Sequence, residues 1–292
     1  MSKERLLANS RIGLVPLNWD FSDSRKEEVV AKIREYGFLG IQISEKHANS
    51  QDYLQLFKRN ALSAAELYIA IKCTPDSIAP NSDEESKRQI DAAKSGGVEM
   101  IVFAVDGTAE RDRVAANAQM GPALSEKGMR ALAEHLNKWG KYCHSLGIKY
   151  SFHQHAATFI ETPEEMRRLF DLLDTNMGLC LDVGHWIVGG GDPIKAVGEY
   201  GQRITHLHVK DVDGLVLAKL RQSAYEGMKV AVMEHKLFTP AGTGVLDLKG
   251  LFKALDEIRY EGWLMSEQDS AWEPTEEKSL ESYTNIVKAL TS

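Results

Sequence analysis

Four short apolar runs in this sequence each end in side chains that bind metal ions or transfer protons. Histidine and carboxylate groups hold borderline divalent cations, and the same residue types act as general acids and bases. If the four ends meet at one point, they supply a divalent-metal site with proton-transfer groups beside it. The runs with their polar ends span residues 150–155, 179–185, 205–211 and 263–269.

Strand geometry separates the residues within these clusters. On a β-strand, residues i and i+2 point to the same face, so His153 and His155 emerge together, as do His206, His208 and Lys210. The residues nearest the carboxyl end of a strand are the ones that can meet a ligand. We therefore expect His206 to lie deeper, as a packed or supporting histidine.

Asp182 and Glu267 are the carboxylates at two of these strand ends. Mixed imidazole and carboxylate ligands suit Zn²⁺, Mn²⁺, Co²⁺ or Fe²⁺ better than an all-oxygen Mg²⁺ site. Any one of these residues, taken alone, is more often a hydrogen-bonded buried polar group. The coincidence of four such clusters at four strand ends is what favours a metal site.

Eight apolar runs alternate with eight amphipathic segments, which is typical of an α/β fold. A doubly wound open sheet alternates in the same way, but eight strands with polar carboxyl ends favour a closed (β/α)8 TIM barrel. We predict a single barrel domain over residues 1–292. The predicted strands are 12–17, 40–43, 68–73, 100–105, 149–152, 179–182, 206–209 and 263–265. The predicted helices are 25–36, 53–67, 83–94, 127–146, 163–173, 192–200, 248–258 and 278–290.

Two long connections, at residues 106–125 and 211–247, interrupt this alternation. Barrel enzymes use such loops to cover substrates and exclude water. The turn at 240–244 contains two glycines and could bring backbone N–H groups near an oxygen-rich ligand. Because no Lys-Ser or Lys-Thr follows, it does not indicate a P-loop.

Composition limits the class of protein. The chain has 292 residues, 43% of them hydrophobic, which suffices for one large core. Its net charge of −7 argues against a nucleic-acid partner, because such binding rests on Lys and Arg neutralising phosphates. Three separated cysteines indicate a reducing compartment. Without an apolar signal core or a run of about 18 apolar residues, we predict a soluble cytoplasmic protein with no membrane partner. A homo-oligomer is compatible with the sequence.

Two upstream strand ends add candidates for substrate binding. Asn18 and Trp19 follow the first strand and offer an amide beside an apolar wall. Lys46 follows the second strand and could bind a substrate hydroxyl or carbonyl oxygen. Ordinary core packing is an equal alternative for Trp19, and a solvated surface charge is the alternative for Lys46.

These motifs resemble the xylose isomerase-like TIM barrel superfamily of sugar isomerases, epimerases and dehydratases. Within it, the chain is most similar to the inosose dehydratases. The matches extend over most of the chain and are densest after residue 150. They comprise residues 16–19, 153–155 with 158 and 161–162, 181–185, 189–193, 206–211, 240–244 with 247, and 262–267.

The resemblance implies a metal held by His153, Asp182, His208 and Glu267, with His155 the alternative ligand on the fifth strand. Mn²⁺ or Co²⁺ is the expected cation, and Zn²⁺ or Fe²⁺ are the alternatives. Many members of the superfamily carry Glu where this chain has His153. Inosose dehydratase-like sequences carry the His-x-His form, so the change favours that branch. It argues against the two-glutamate proton transfer of the ketose epimerases.

The resemblance further implies a lyase of inositol catabolism that removes water from 2-keto-myo-inositol, a cyclic keto-polyol. The steps would be α-proton abstraction, stabilisation of an enediolate and loss of the β-hydroxyl. Glu267, His155 and His185 are then the candidates for proton transfer, and Lys210 and Lys46 would steady substrate oxygens. His185 could instead orient the metal-binding aspartate.

Three other functions suit the same barrel. A ketose 3-epimerase or isomerase would share the metal and the enediolate but return the proton to carbon. A lyase acting on 3-keto-glycosides by β-elimination would differ mainly in its leaving group. A noncatalytic sugar-binding barrel belongs to a different class, and loss of a metal ligand would favour it.

Overall fold

The computed structural model describes Leu6 and residues 10–292. Twelve strands lie within this part of the chain, and eight of them form the barrel. The strands are β1 (Arg11–Leu14), β2 (Gly40–Gln42), β3 (Ser63–Ile71), β4 (Cys73–Thr74), β5 (Ser77–Ile78), β6 (Met100–Val105), β7 (Lys149–His153), β8 (Gly178–Asp182), β9 (Ile204–Val209), β10 (Asp211–Val212), β11 (Phe238–Thr239) and β12 (Trp263–Ser266).

The eight long strands close into a parallel barrel in the order β1-β12-β9-β8-β7-β6-β3-β2. β1 pairs with both β2 and β12, which closes the sheet. The remaining strands form two antiparallel pairs, β4 with β5 and β10 with β11. The predicted (β/α)8 barrel is therefore confirmed, and the carboxyl ends of its strands meet at one rim.

Helices surround the barrel and bury one face against it. Val29, Val30 and Ile33 are the buried residues of the first of these helices, and their spacing of three and four residues predicts that face. Outside the two long connections, the described helices of eight or more residues are Lys26–Glu35, Gln51–Arg59, Ser82–Ser95, Glu126–Ser145, Pro163–Phe170, Pro193–Tyr200, Leu248–Glu257 and Thr275–Thr291. Among the described residues, no helix is both long and apolar enough to span a bilayer.

The predicted helix 53–67 is wrong in its second half. The helix ends at Arg59, Ala61 adopts a positive φ of 53°, and β3 begins at Ser63. Residues 64–67, Ala-Ala-Glu-Leu, have high intrinsic helix propensity, but β3 pairs with β6 from Glu66 to Ile71. Pairing with a strand that is distant in sequence overrides the local preference.

The first strand is shorter than predicted, since β1 ends at Leu14 rather than at residue 17. Pro16 lacks a backbone N–H and cannot continue the ladder. The chain turns there, with Leu17 N–H donating to Val15 O and Trp19 N–H donating to Pro16 O. This turn carries Asn18 onto the carboxyl-end rim.

The two long connections contain secondary structure and contact each other. The first includes the helix Ala109–Arg113, and the second includes the helices Gly214–Arg221 and Met228–Met233 with the β10–β11 pair. Asp112 Oδ1 accepts from Lys229 N–H, and Asn117 Nδ2 donates to Arg221 O. The two insertions thus form one connected cover over part of the rim.

Candidate metal centre and active site

The four predicted metal ligands lie together at the carboxyl ends of β7, β8, β9 and β12. Asp182 Oδ2 is 3.4 Å from His153 Nε2 and 3.7 Å from His208 Nδ1. His208 Nδ1 is 2.5 Å from Glu267 Oε2. One ligand atom from each of the four buried residues lies within 4.8 Å of the other three. Each of the four strands therefore contributes one side chain to a single cluster.

Three of the converging atoms, Asp182 Oδ2, His208 Nδ1 and Glu267 Oε2, are buried and contact only charged neighbours of this group. Asp182 Oδ2 lies beside the Lys210 ammonium at 3.2 Å, and His208 Nδ1 lies beside Glu267 Oε2. Because buried polar atoms normally have hydrogen-bonding partners, a cation would complete such a converging set. Two carboxylates and two imidazoles form a donor set suited to a borderline divalent metal. The residues present fit such a cation.

His153 and His155 take different positions at the end of β7. His153 Nε2 lies in the ligand cluster, whereas His155 turns away and stacks on His185, with 3.6 Å between ring centroids. His155 Nδ1 lies 2.6 Å from Ala156 O. The alternation of a strand stops at His153, so the two side chains no longer share a face.

The first turn after β8 orients Asp182. Asp182 caps the helix Val183–Val188, and its Oδ1 accepts from the backbone N–H of His185 at 2.9 Å. This bond leaves Oδ2 facing the ligand cluster. Gly184 is required at this turn because a Cβ there would lie 2.6 Å from Lys210 Cγ. The main chain of His185, rather than its imidazole, orients the aspartate.

The Lys210 ammonium is fully buried among three carboxylates. Its Nζ lies 3.2 Å from Asp182 Oδ2, 3.1 Å from Glu267 Oε1 and 2.6 Å from Asp269 Oδ2. Burial favours the neutral amine, but these carboxylates raise the pKa of Lys210 well above its usual value. The charged lysine therefore offsets the negative charge that collects at this end of the barrel.

Asp269 is the most exposed member of this charged group, with a side chain 21% exposed. Burial raises its pKa to about 6, although Lys210 opposes the change. The segment that carries Asp269 is held by Asn18, whose Nδ2 lies 3.2 Å from both Gln268 O and Asp269 O and 3.4 Å from Ser270 O. The Asn18 amide, which we predicted to bind a substrate, thus contacts main-chain carbonyls instead.

The two stacked histidines differ in the nitrogen that remains free. His155 Nδ1 donates to Ala156 O, so its Nε2 keeps a lone pair. His185 Nε2 lies 2.9 Å from Lys210 Nζ, and its Nδ1 lies 3.3 Å from Ala156 N. A neutral imidazole has one nitrogen lone pair that can accept a hydrogen bond. In His185 we place it on Nε2, which accepts from the Lys210 ammonium, because that contact is shorter and involves a charge. Burial lowers the pKa of His155 to about 3 and that of His185 well below 6.5, so both rings are neutral at pH 7.

Sequence analysis missed two residues that β3 places beneath and beside the cluster. Glu66 is fully buried, and its Oε2 lies 2.9 Å from His208 Nε2. The Tyr68 ring meets His153 edge-on, with 5.7 Å between centroids. Glu66, Tyr68 and Ala70 alternate along β3 and so share one face of the strand. The predicted helix 53–67 included Glu66, and this error separated it from the face that it shares with Tyr68. The deeper position of His206 was expected, and it also faces Glu66.

A second group of potential ligands lies directly below the first. Cys180, His206 and His208 are buried close enough together to hold a metal. Burial raises the pKa of the Cys180 thiol to about 12, so this group holds no anionic ligand in the metal-free protein. The Nε2 atoms of both histidines also face Glu66. The carboxylate-containing cluster is the better cation site.

Two predicted substrate-binding residues are not brought into the cluster. Trp19 is buried, donates from Nε1 to Ser279 Oγ at 3.1 Å and meets Tyr36 edge-on, which is ordinary core packing. Lys46 is exposed in the short helix Glu45–Ala48 that follows β2. Neither side chain contacts the four metal-ligand candidates.

The glycine turn of the second insertion binds a carboxylate of the protein itself. Asp211 is fully buried, and its Oδ2 accepts from the N–H groups of Gly242 and Gly244 at 2.9 Å each. Its Oδ1 accepts from Leu246 N–H at 2.9 Å and from Val212 N–H at 2.8 Å. The expected backbone donors exist, but they secure the insertion to β10 rather than face an external ligand.

Comparison with known proteins places this barrel in a family. The profile of the xylose isomerase-like TIM barrel family matches residues 18–286. The chain belongs to this family. An inosose dehydratase of Clostridium beijerinckii is 29% identical over 276 residues, covering 89% of this chain and 91% of the relative. Another, from Geobacillus kaustophilus, is 28% identical over 284 residues, covering 92% and 91%.

Solved structures show the same fold at lower sequence identity. A D-allulose 3-epimerase from Methylomonas sp. superimposes with a TM-score of 0.70 and 17% identity, covering 96% of this chain and 98% of that one. A structure of the IOLI protein with a bound zinc atom superimposes with a TM-score of 0.67 and 16% identity, covering 97% of both. These similarities show that the barrel fold is shared, and at this identity they show the fold alone.

Proposed function

We propose that this protein is a divalent-metal-dependent lyase that dehydrates a cyclic keto-polyol such as 2-keto-myo-inositol. The single observation that carries the proposal is the four-residue ligand cluster of His153, Asp182, His208 and Glu267 at the carboxyl-end rim. The relatives named inosose dehydratase, which align over about nine tenths of the chain, favour this substrate. Mn²⁺ or Co²⁺ is the proposed cation, with Zn²⁺ or Fe²⁺ as alternatives.

Dehydration removes a proton from the carbon beside the carbonyl and a hydroxyl from the next carbon, so that a C=C bond forms and water leaves. A divalent cation in the cluster would supply Lewis-acid stabilisation of the charge that develops on the carbonyl oxygen. The remaining chemistry is left to the side chains that surround the cluster. A proton acceptor and a proton donor are required, each within hydrogen-bond reach of the reacting atoms.

His155 is the best-placed proton acceptor among the predicted candidates. Its Nδ1 is held by Ala156 O, it is neutral at pH 7, and its Nε2 keeps a lone pair. The ring is only partly buried, so a substrate can reach it. The lone pair of His185 faces Lys210 instead, and Glu267 is committed to the ligand cluster. We therefore propose His155 as the base that takes the α-proton.

The charged pair of Lys210 and Asp269 is proposed to hold the departing hydroxyl and to supply the proton with which it leaves as water, while His155 keeps the α-proton. Their 2.6 Å contact places an ammonium and a carboxylate side by side at the exposed edge of the cluster. Phe238 of the second insertion packs against this group, with Lys210 Nζ 4.8 Å from its ring centroid. Its ring lies 5.0 Å from that of His185. The insertion would therefore exclude water from the charges during the reaction.

The ligand set favours dehydration over epimerisation. An epimerase that uses two glutamates for proton transfer needs carboxylates at both positions, and β7 supplies His153 at one of them. The Lys210 ammonium, paired with Asp269, is instead suited to bind a hydroxyl as it departs. A sugar-binding barrel would not need an intact ligand cluster with a free base beside it.

Metal replacement followed by product analysis tests the proposal. The purified protein is stripped with a chelator, reloaded with Mn²⁺, Co²⁺ or Zn²⁺, and supplied with inosose, ketoses or 3-keto-glycosides. Loss of one water from inosose, seen by mass spectrometry together with the absorbance of the conjugated dione, is expected only for the reloaded protein. Asp182→Asn serves as the inactive control.

The other outcomes identify the rival functions. Incorporation of solvent deuterium into ketoses without loss of water would indicate an epimerase. Release of an alcohol or sugar from a 3-keto-glycoside would indicate β-elimination. Sugar binding without turnover by the metal-loaded protein would indicate a binding barrel.

A further inference from the structure

Glu66 is a buried carboxylate that crosses the barrel to reach two histidines. It lies on β3, which is four strands from β9 in the closed eight-strand order and therefore opposite to it. Its Oε2 lies 2.9 Å from His208 Nε2 and also contacts His206 Nε2. All three residues are at most 1% exposed. The carboxylate thus sits on the interior side of a predicted metal ligand.

The chemistry of this contact fixes where the imidazole protons lie. Glu66 Oε2 faces the Nε2 atoms of both His208 and His206. A carboxylate oxygen accepts hydrogen bonds, and an imidazole nitrogen donates one only when it carries a proton. Both Nε2 atoms must therefore carry protons. Each imidazole ring is held through this atom, which is its inner nitrogen, while Nδ1 is its outer nitrogen.

The outer nitrogen of His208, Nδ1, is then the one left to bind a cation. This atom, Nδ1, is 2.5 Å from Glu267 Oε2 and 3.7 Å from Asp182 Oδ2, which places it in the ligand cluster. A carboxylate on the far nitrogen of a metal-binding histidine fixes the ring and increases its basicity. The negative charge of Glu66 also lies close to where a cation would bind.

We propose that Glu66 is a positioning residue, which holds His208 with Nδ1 toward the cation and strengthens its binding, while His206 holds Glu66 in place. This inference rests on the proposed metal site but not on the proposed substrate. The competing explanation is that Glu66 only ties β3 to β9 across the barrel. The two explanations differ in whether metal affinity changes when stability does not.

The test measures cation affinity without any substrate. Glu66→Gln keeps the size of the side chain and removes its charge. Dissociation constants for Co²⁺ and Zn²⁺ are measured by competition with a chromophoric chelator, and melting temperatures are measured in EDTA. We expect Glu66→Gln to weaken both cations by about 10- to 100-fold, the range for loss of a carboxylate behind a ligand histidine.

A second readout follows the ring itself. With ¹⁵N-labelled histidine, the Zn²⁺-loaded protein is expected to show His208 as the Nε2–H form with Nδ1 on the metal. In Glu66→Gln this signal should shift or broaden. Glu165→Gln is the matched control, because Glu165 is a buried carboxylate that pairs with Arg111 at 2.9 Å, away from the cluster. It should lose stability and keep its cation affinity.

Two further variants keep the inference open to refutation if Glu66→Gln does not fold. Glu66→Asp retains the charge but is too short to reach both rings, and it should weaken binding by a smaller factor. His206→Gln should also weaken binding, because it releases the far side of Glu66. Unchanged affinity in every folded variant at position 66 would overturn the role of Glu66 and leave the metal site standing. If the unmodified protein binds no divalent cation, the metal site, the proposed function and this inference all fall together.

Discussion

Two regions of this molecule combine histidine with carboxylate groups, yet only one is built for chemistry. On the outer helices Ser82–Ser95 and Glu126–Ser145, Ser86 Oγ lies 3.0 Å from His135 Nε2, and His135 Nδ1 lies 3.1 Å from Asp83 Oδ1. This order of serine, histidine and aspartate is that of a nucleophilic triad. The second region is the ligand cluster at the rim of the barrel.

The difference lies in access and in the number of ligand atoms that converge. Ser86 is 1% exposed, so no substrate reaches its hydroxyl, and Asp83 already accepts from Trp139 Nε1 at 2.8 Å and pairs with Lys138. Ser86, His135 and Asp83, which we call the outer array, therefore tie two helices together. In the rim cluster, ligand atoms of four buried residues, His153, Asp182, His208 and Glu267, lie within 4.8 Å of one another. Residue types alone do not separate structure from function, whereas the convergence of several buried ligand atoms does.

The largest expected effect is the loss of a carboxylate from the rim cluster. Asp182→Asn keeps the side-chain size, and its carbonyl oxygen can still accept from His185 N–H, but the anionic ligand is lost. Turnover should fall by more than about 1,000-fold, since loss of a single charge-stabilising donor already costs about 10²–10³ in kcat. Metal analysis and kcat on inosose check this. Near-normal turnover at matched stability would remove Asp182 from the metal site.

A large effect on stability is expected from Lys210→Met. Removing the ammonium leaves three carboxylates buried without their compensating charge, so the metal-free protein should lose about 3–5 kcal/mol of unfolding free energy. A bound cation should restore part of this loss because it offsets the same charge. Denaturant unfolding with EDTA and with Co²⁺ measures both. An equal loss in the two conditions would show that Lys210 and the cation do not share a site.

The strand ends of the rim cluster were predictable because each is marked by a local pattern, an apolar run that ends in polar side chains. The resemblance to the xylose isomerase-like barrels then singled out His153, Asp182, His208 and Glu267 as ligands, and the barrel closes as expected. Glu66 was not predictable in this way, since its partner His206 lies 140 residues further along the chain. A contact of that separation is fixed by the closure of the barrel and leaves no local signal.

The limits of local reasoning also explain the other differences. Residues 64–67 favour a helix locally and become a strand only because β6 pairs beside them. The sequence correctly indicated that Asn18 and the glycine turn at 240–244 supply hydrogen-bond donors. The Asn18 amide donates to main-chain carbonyls, and the N–H groups of the turn donate to Asp211. Sequence indicates which groups a segment offers, and only the packed fold decides which partner accepts them.

A smaller effect is expected in the outer array. Ser86→Ala removes the hydroxyl that donates to His135 Nε2 and should lower the unfolding free energy by about 1 kcal/mol. Kinetic constants and cation affinity should be unchanged. Ser95→Ala, an exposed position on the same helix, is the control and should change stability by less than about 0.5 kcal/mol. A loss of turnover in Ser86→Ala alone would give the outer array a catalytic role.

The smallest effect should appear only as a pH dependence of stability. Burial lowers the pKa of His135 below 6.5, with Lys138 acting in the same direction and Asp83 opposing it. The unfolded chain then takes up this proton at a higher pH than the folded protein does, so the stability contribution is present above about pH 6.5 and is lost as the pH falls below it. His135→Gln should remove that part of the pH dependence.

Denaturant unfolding of the unmodified protein and His135→Gln at pH 8 and pH 5 isolates this contribution, because the other histidines titrate alike in both. The difference in unfolding free energy between the two proteins should be larger at pH 8 than at pH 5. Because His135 does not contact the rim cluster, cation affinity should differ little between the two proteins at either pH. An equal difference at both pH values would mean that Asp83 balances the burial of His135, so that its pKa is the same in the folded and the unfolded chain.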